Sequence, residues 1–554
     1  PFLMFSSRME MRIVLLASFF TLVFHHIRGE ELNPSLTVPI PMRDGTKLLA
    51  DLYFPPEGEP SDCPCVLLRC PAGRKAPFAV KYTALAACGY VVAIQDTRSA
   101  IDQEGKTFPY WSDGWGREKD GYDTIEWLSK SSYSNGKIGT VGVSALGITQ
   151  LMLAPTAPPS LKCQHIGVAA GSLYHHALYP GGQILKDQVE GWLQMQSRDS
   201  GVHSYACSHL FYNDFWERFN TIRVADRVAV PAIHFGGWYD TFLQGTIDSY
   251  VSRQERGREG AKGQQKMVIG PWTHFWPEIN RLGEFEVPAA GVVPPTDFSP
   301  KPWLDYHLKG LKNGIEEMSP VTYYVMGPFD GSPSTGNVWR FADKWPIPCV
   351  DTSFYLSSDQ KLLENEKPVA SKTFFFKYDP YNPAPTIGGR NLFLASGPMD
   401  QRPIEQRDDV LVFTSAPLSE DIEVTGNVVA KLFFSSNCED TDVVVRLTDV
   451  YPDGKSILIA DGIYRTGMGM IEKEHNAHKP VEIDVDLWST SIVFARGHRI
   501  RISIAGSNYP KYEKNFNVGF IGAHSGAYAI AKNKIYIGGP HLSRLILPVV
   551  RRGG

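Results

Sequence analysis

Lys137-Ile138-Gly139-Thr140-Val141-Gly142-Val143-Ser144-Ala145-Leu146-Gly147-Ile148-Thr149-Gln150-Leu151-Met152-Leu153-Ala154 changes its period halfway along. Up to Val143 the residues are small, β-branched and apolar, as in a buried strand. From Ile148 to Ala154 the pattern is helical, and no turn cluster separates the two. A serine on so sharp a strand-to-helix turn sits in a strained backbone that exposes its hydroxyl above a sheet, and nearby glycines let strand and helix approach. The six letters Gly142 to Gly147 also fit an ordinary Gly-rich strand-to-helix turn, so the rest of the chain has to decide.

Upstream, Leu36 to Tyr53 reads as a hairpin around the turn Arg43-Asp44-Gly45-Thr46. It is followed by the apolar run Cys65 to Leu68, a helix-like Ala79 to Cys88, a strand Tyr90 to Gln95 and a helix-like Asp120 to Ser129. Strands alternating with helical stretches of this length predict a parallel sheet with crossover helices, an α/β architecture. After Gly171 the regularity lapses into a polar and aromatic stretch, Ser172 to about Thr221, with helical spacing around Ile184 to Met195. Strands return at Ala229 to Phe235 and Lys266 to Gly270, so the middle reads as an insertion. From Val350 the texture changes to short alternating runs: Val410–Thr414, Ile422–Phe434, Thr441–Val450, Ile457–Tyr464, Val481–Leu487 and His498–Ala505. These are separated by turns such as Tyr451-Pro452-Asp453-Gly454 and predict a β-sandwich of jelly-roll type.

The 554 residues suffice for two to four domains. With 43% hydrophobic and 21% charged residues the chain has the composition of a globular protein, which excludes disordered and collagen-like classes. A net charge of −4 leaves no basic excess to meet a phosphate backbone, so nucleic acid is not an expected partner. The 40 prolines and 50 glycines favour turns and strands over a helical bundle. Ile13 to Phe24 is an apolar run behind Arg8 and Arg12, too short for the roughly 20 residues a spanning helix needs. It reads as the core of a secretory signal, residues 1–29, with cleavage after Gly29, which predicts an exported protein without stable membrane insertion. Eight cysteines lie scattered with no zinc-type spacing, and Cys63 and Cys65, two apart, would point to opposite faces of a strand rather than clasp one ion. No metal is expected from them; in an exported protein they could form disulfides, but no connectivity can be read.

A serine hydroxyl needs a base, and the base an orienting acid. The strand Ala229–Phe235 runs into Gly236-Gly237-Trp238-Tyr239-Asp240, and the strand Lys266–Gly270 into Pro271-Trp272-Thr273-His274. Both candidates fall just beyond strand ends, where a doubly wound sheet builds its site, and they follow the serine in the order Ser, Asp, His. Taken singly, Asp240 also reads as a turn or cap residue and His274 as a structural histidine; the ordered placement of three is what points to a nucleophilic site.

These residues carry a resemblance. The chain is similar, from about Val38 to its C-terminus, to the cocaine esterase and X-Pro dipeptidyl-peptidase family of α/β-hydrolases, which includes α-amino acid ester hydrolases and glutaryl acylases. The motifs are Pro41-Met42-Arg43-Asp44-Gly45, Gln95-Asp96-Thr97-Arg98, Gly142-Val143-Ser144, Gly237-Trp238-Tyr239-Asp240, Gly270-Pro271-Trp272-Thr273-His274, Asp400-Gln401-Arg402-Pro403, Arg407-Asp408-Asp409-Val410 and Ser507-Asn508-Tyr509-Pro510. The resemblance implies an α/β-hydrolase fold in two parts, 31–171 and 222–348, an inserted helical cap over 172–221, and a C-terminal jelly roll over 349–554. It implies Ser144 as nucleophile, His274 as general base and then acid, and Asp240 as the carboxylate that orients His274. Where the family carries Arg, any residue, Pro, Tyr, whose tyrosine hydroxyl is one of two oxyanion donors, this chain reads Arg69-Cys70-Pro71-Ala72. Of the inherited pair only the backbone N–H of Ala145 remains, and one such donor is worth about 10² to 10³ in rate. Arg74 or the backbone N–H of Gly73 are the candidates to replace the donor lost at Ala72.

Other features have plainer readings. His475 and His478 with Glu474 read as a solvated loop, since their order does not match the zinc signature. His175 and His176 beside Tyr174 open the insertion, either toward a substrate or as part of a half-buried aromatic patch. Trp127, Trp192, Trp216, Trp276 and Trp303 read as packing. No Gly-rich phosphate loop or heptad calls for a cofactor or coiled-coil partner. The expectation is a serine hydrolase acting on a small ester or amide, or a short X-Pro peptide, through an acyl-enzyme. Its rivals are acyl transfer to an amine and, because of Ala72, a catalytically silent hydrolase-fold binding protein. The short insertion predicts an open site for small or terminal substrates.

Overall fold

The computed structural model describes residues 33–101, 108–197, 201–275, 281–469, 479–519 and 526–551. The expected signal segment, the Glu474/His475/His478 group and Trp276 lie outside them.

The first sheet contains β1 (Leu36–Pro41), β2 (Lys47–Tyr53), β3 (Cys63–Cys70), β4 (Val91–Asp96), β5 (Ser134–Val143), β6 (Leu161–Gly167), β7 (Ala232–Tyr239) and β8 (Gln265–Thr273). They lie in the order β1-β2-β4-β3-β5-β6-β7-β8, extended by the strands Val321–Val325 and Val338–Ala342. From β4 to β8 every neighbour is parallel, whereas the hairpin β1/β2 and the pair β2/β4 are antiparallel. The central strands are continuous apolar runs because the sheet is covered on both faces: every residue of β3, β4 and β7 is buried. Cys63 and Cys65 are accordingly both buried, and all eight cysteines are free thiols. Burial pushes the Cys65 and Cys70 thiols up to about 12, so they are inert side chains of the core.

Two strand ends differ from their sequence reading. Ala229–Phe235 starts later and runs on to Tyr239, and Lys266–Gly270 extends to Thr273. Within the extension glycine serves close approach: a Cβ on Gly237 would lie 2.1 Å from the carbonyl oxygen of Trp272. The helix expected over Ala79–Cys88 is a single α turn, Pro77–Val80, continued by a 3₁₀ stretch, Lys81–Cys88.

Between β6 and β7 lie the short helical turns Tyr174–Leu178 and Pro180–Gly182 and the helices Lys186–Gln196, Val202–Ser208 and Asp214–Glu217. After Val350 the chain is β-rich. Its longest pairing joins Ile422–Ser436 to Val481–Phe494, and the last strand, Arg544–Val549, returns between Val350–Leu356 and Ile422–Ser436. One apolar core runs across from Trp238 and Tyr239 at the end of β7 to Leu447, Ile483 and Leu545 of the β-rich part. Tyr239 Oη, fully buried, donates to the Leu458 carbonyl at 2.9 Å, and the Met326 N–H to that of Ser491 at 3.0 Å. The two parts are thus one packed body. Among the described residues no helix is long and apolar enough to cross a membrane.

Candidate active site

Ser144 stands between β5 and the helix Ala145–Leu153 with φ 55° and ψ −124°, a left-handed conformation that a non-glycine residue holds only when its surroundings impose it. Both flanking glycines are required there. A Cβ on Gly142 would lie 2.4 Å from that of Leu146, and one on Gly147 would lie 2.9 Å from the Gly167 carbonyl oxygen. The Ser144 N–H is tied to Gly167 O at 2.9 Å, while its own carbonyl accepts from the N–H of Gly147 and Ile148, at 2.8 and 2.9 Å. The hydroxyl is left raised over the carboxyl end of the sheet. The helix ladder begins with Gly147, so the Ala145 N–H is one of the helix's N-terminal donors outside it.

The three side chains singled out by the sequence meet. His274 Nε2 lies 3.0 Å from Ser144 Oγ, and His274 Nδ1 lies 2.6 Å from Asp240 Oδ1. Asp240 is wholly buried just beyond β7, and His274 is 8% exposed just beyond β8, so β7 and β8, parallel neighbours, present the pair side by side. Among the described residues Asp240 Oδ2 is buried without a hydrogen-bond partner, so the carboxylate is directed at the imidazole through Oδ1.

The loop after β3 carries Ala72 at an exposed position. It is fixed at both ends. The Arg69 carbonyl accepts from Thr149 Oγ1 on the serine's own helix at 3.0 Å. Arg74 is clamped by Asp51, with Nε to Oδ1 at 3.0 Å, and by Asp96, which takes both its side chain and its N–H. The Gly73 N–H donates to the Cys70 carbonyl at 3.1 Å. Both donors named as replacements for the missing tyrosine are therefore engaged locally. A groove of about 570 Å³, walled by Pro71, Ala72, Arg74, Gln194 and Met195, opens beside the loop where the resemblance would place a tyrosine ring.

A wall of rings, missed in the sequence, stands on the other side of the imidazole. Phe242 is edge-on to His274 with centroids 5.4 Å apart, Trp192 is 6.1 Å from Phe242, and Tyr110 stacks on Trp192 at 5.9 Å. Leu392, from the β-rich part, joins the same cluster, and Phe393 packs where a Cβ on Gly191 would be. Phe242 could have been found, two residues beyond Asp240; Trp192 was read as packing, and nothing in the sequence joins it to Tyr110. Trp216 and Trp303 are buried in packing, and Trp127 packs against it. His175 and His176 do not join the site: His175 Nδ1 meets Ser172 Oγ at 2.9 Å and His176 Nε2 meets Asp248 Oδ2 at 3.2 Å.

The chain matches known proteins along most of its length. The model of the X-Pro dipeptidyl-peptidase (S15) family matches residues 44–204 and 192–276, and that of the X-Pro dipeptidyl-peptidase C-terminal non-catalytic domain matches residues 313–546. Cocaine esterase of Rhodococcus sp. is 30% identical over 93% of this chain and 98% of its own length. Among solved structures, an aminopeptidase from a marine-sediment Thaumarchaeota archaeon superposes with a TM-score of 0.77 at 22% identity, over 95% of this chain and 98% of its own. An α-amino acid ester hydrolase gives 0.74 at 22% identity, over 95% and 99%. An α/β sheet with a serine on its strand-to-helix turn, a β-rich C-terminal part, and relatives aligned along nearly the whole length lead to one assignment: the chain belongs to the cocaine esterase and X-Pro dipeptidyl-peptidase (S15) family of serine hydrolases.

Proposed function

We propose that the protein is an esterase for small substrates with an apolar or aromatic acyl group, working through an acyl-enzyme on Ser144. The observation that carries the reading is the continuous hydrogen-bonded line from Ser144 Oγ through His274 to buried Asp240. His274 Nε2 takes the serine proton as Oγ attacks the acyl carbon, and Asp240 stabilises the imidazolium that forms. The Ala145 N–H donates to the oxyanion, the leaving oxygen takes the proton back from Nε2, and water, deprotonated in turn by His274, releases the acid. The imidazole must be neutral to begin, since only an unprotonated Nε2 can take the serine proton. An ester is preferred over an X-Pro peptide because cocaine esterase of Rhodococcus sp. is among the relatives, and Phe242, edge-on to His274, makes the surroundings of the imidazole apolar. The apolar run Ile13–Phe24 supports export as part of the same proposal.

The test is labelling by a fluorophosphonate probe. Wild type should label and Ser144→Ala should not; a wild-type protein that never labels refutes the reading. Ala72, with Arg74 and the Gly73 N–H engaged elsewhere, favours one rival, a catalytically silent binding protein. Hydrolysis of p-nitrophenyl benzoate that disappears in His274→Ala disposes of it.

A further inference from the structure

Away from the rings, a second cavity of about 230 Å³ lies where the insertion, the helix Leu243–Arg256 and the β-rich part meet. Its walls are charged in an unusual way. Arg390 is 4% exposed. Its Nη2 donates to the carbonyls of Asp461 and Leu487, at 2.7 and 2.6 Å, but Nη1 is buried with no partner. Among the described residues Arg390 has no carboxylate within ion-pairing distance, because the nearby Asp461 is taken by Lys511 at 2.6 Å. Asp486 borders the same cavity, is exposed to solvent there, and among the described residues has no cation within ion-pairing distance. Its carboxylate accepts the Trp488 N–H at 2.8 Å. Burial raises the Asp486 carboxyl above its ordinary value, opposed by the Trp488 N–H, by Asn427 and by Arg390, which lies near it without touching it.

Trp488, between them in the wall, holds φ 64° inside the strand Val481–Phe494. An aromatic residue adopts that conformation only under constraint, and such constraint gathers at ligand clamps. The turn sets its indole against Arg390, 5.3 Å from the guanidinium carbon to the ring centroid, and edge-on to His176.

A buried cation and an accessible anion, held apart across one cavity beside a constrained indole, are complementary to a ligand carrying both charges. We propose that this cavity binds a small α-amino-acid zwitterion, its carboxylate on Arg390, its ammonium on Asp486 and its side chain against Trp488. Thr241, which directly follows Asp240 in the chain, and Gln244, four residues on from Asp240, also line it, so occupancy would be felt beside the hydrolytic site without entering it.

Isothermal titration of the wild-type protein with L-valine should show saturable binding at millimolar concentration or tighter. Isobutylamine and isovalerate, which keep the side chain and one charge each, should bind at least about tenfold more weakly, the loss expected for one charge-assisted contact. Asp486→Asn and Arg390→Met should each weaken L-valine by a similar factor, with thermal melts reporting folding. If Arg390→Met does not fold, Asp486→Asn and the two singly charged analogues carry the test. Absence of saturable L-valine binding, equal affinity for isovalerate, or affinity unchanged in Asp486→Asn overturns the proposal.

Discussion

At Ser144 the backbone does the work usually credited to the side chain. Its raised hydroxyl depends on Gly142, where a methyl group would collide with Leu146, and on Gly147. Gly142→Ala should therefore destabilise the fold by about 1–3 kcal/mol and lower kcat without removing any reacting group; a thermal melt and steady-state kinetics check both. Asp240→Asn should leave the melt nearly unchanged and reduce kcat by about 10⁴-fold, because an amide facing Nδ1 favours the wrong tautomer. Ala72→Tyr should raise kcat for p-nitrophenyl esters, as a hydroxyl donor returns to a loop already anchored through Arg69 and Arg74; an unchanged or lower rate would point to a local donor already in place. The departure at Ala72 is legible in the sequence. That Arg74 is committed to Asp51 and Asp96 is not, since those partners come from β2 and β4.

Among the elements, β7 shows where local reading fails. Gly236-Gly237 is a turn signal in isolation, but β8 alongside demands a residue without a side chain at 237, and the strand runs on to deliver Asp240. The ring wall is likewise built across elements: Tyr110 from a loop, Trp192 from an inserted helix, Phe242 from the turn after β7. Phe242→Ala, which opens a cavity in the core beside His274, should destabilise the fold by about 3–5 kcal/mol and lower kcat for benzoate and acetate esters alike. A thermal melt and steady-state kinetics check both, and a loss confined to benzoate esters would contradict it.

For the molecule as a whole, buried titrating groups shape stability. Burial pushes His165, His234 and His307 down to about 4, 3 and 4. The unfolded chain takes up these protons below about 6.5 and the folded protein does not. Stability should accordingly rise with pH from about 4 to about 6.5 and level off above. Asp442, raised to about 7 chiefly by burial, acts the other way over much of that window, since only the unfolded chain ionises it there. His175, likewise pushed down to about 4, makes four imidazoles; Asp449, Asp486 and His498 are raised and oppose them alongside Asp442, but by smaller shifts, so the net slope stays positive. Melting temperatures across that range check it, and a flat or falling profile would contradict it.

Sequence alone determined the serine turn, the order Ser144, Asp240, His274, and the change from alternating strands and helices to unbroken strands. These follow from backbone sterics and from periods of 2.0 and 3.6 residues, which act over a few positions. It also carried the family, because ordered motifs survive where they build a turn or a strand end. Only the tertiary structure decided which faces meet. The imidazole reaches a hydroxyl 130 positions away, and Arg390 comes to share a cavity with Asp486 and Trp488. Such neighbours are selected by packing of the whole core against the cost of closing long loops, and no short window of residues contains that balance.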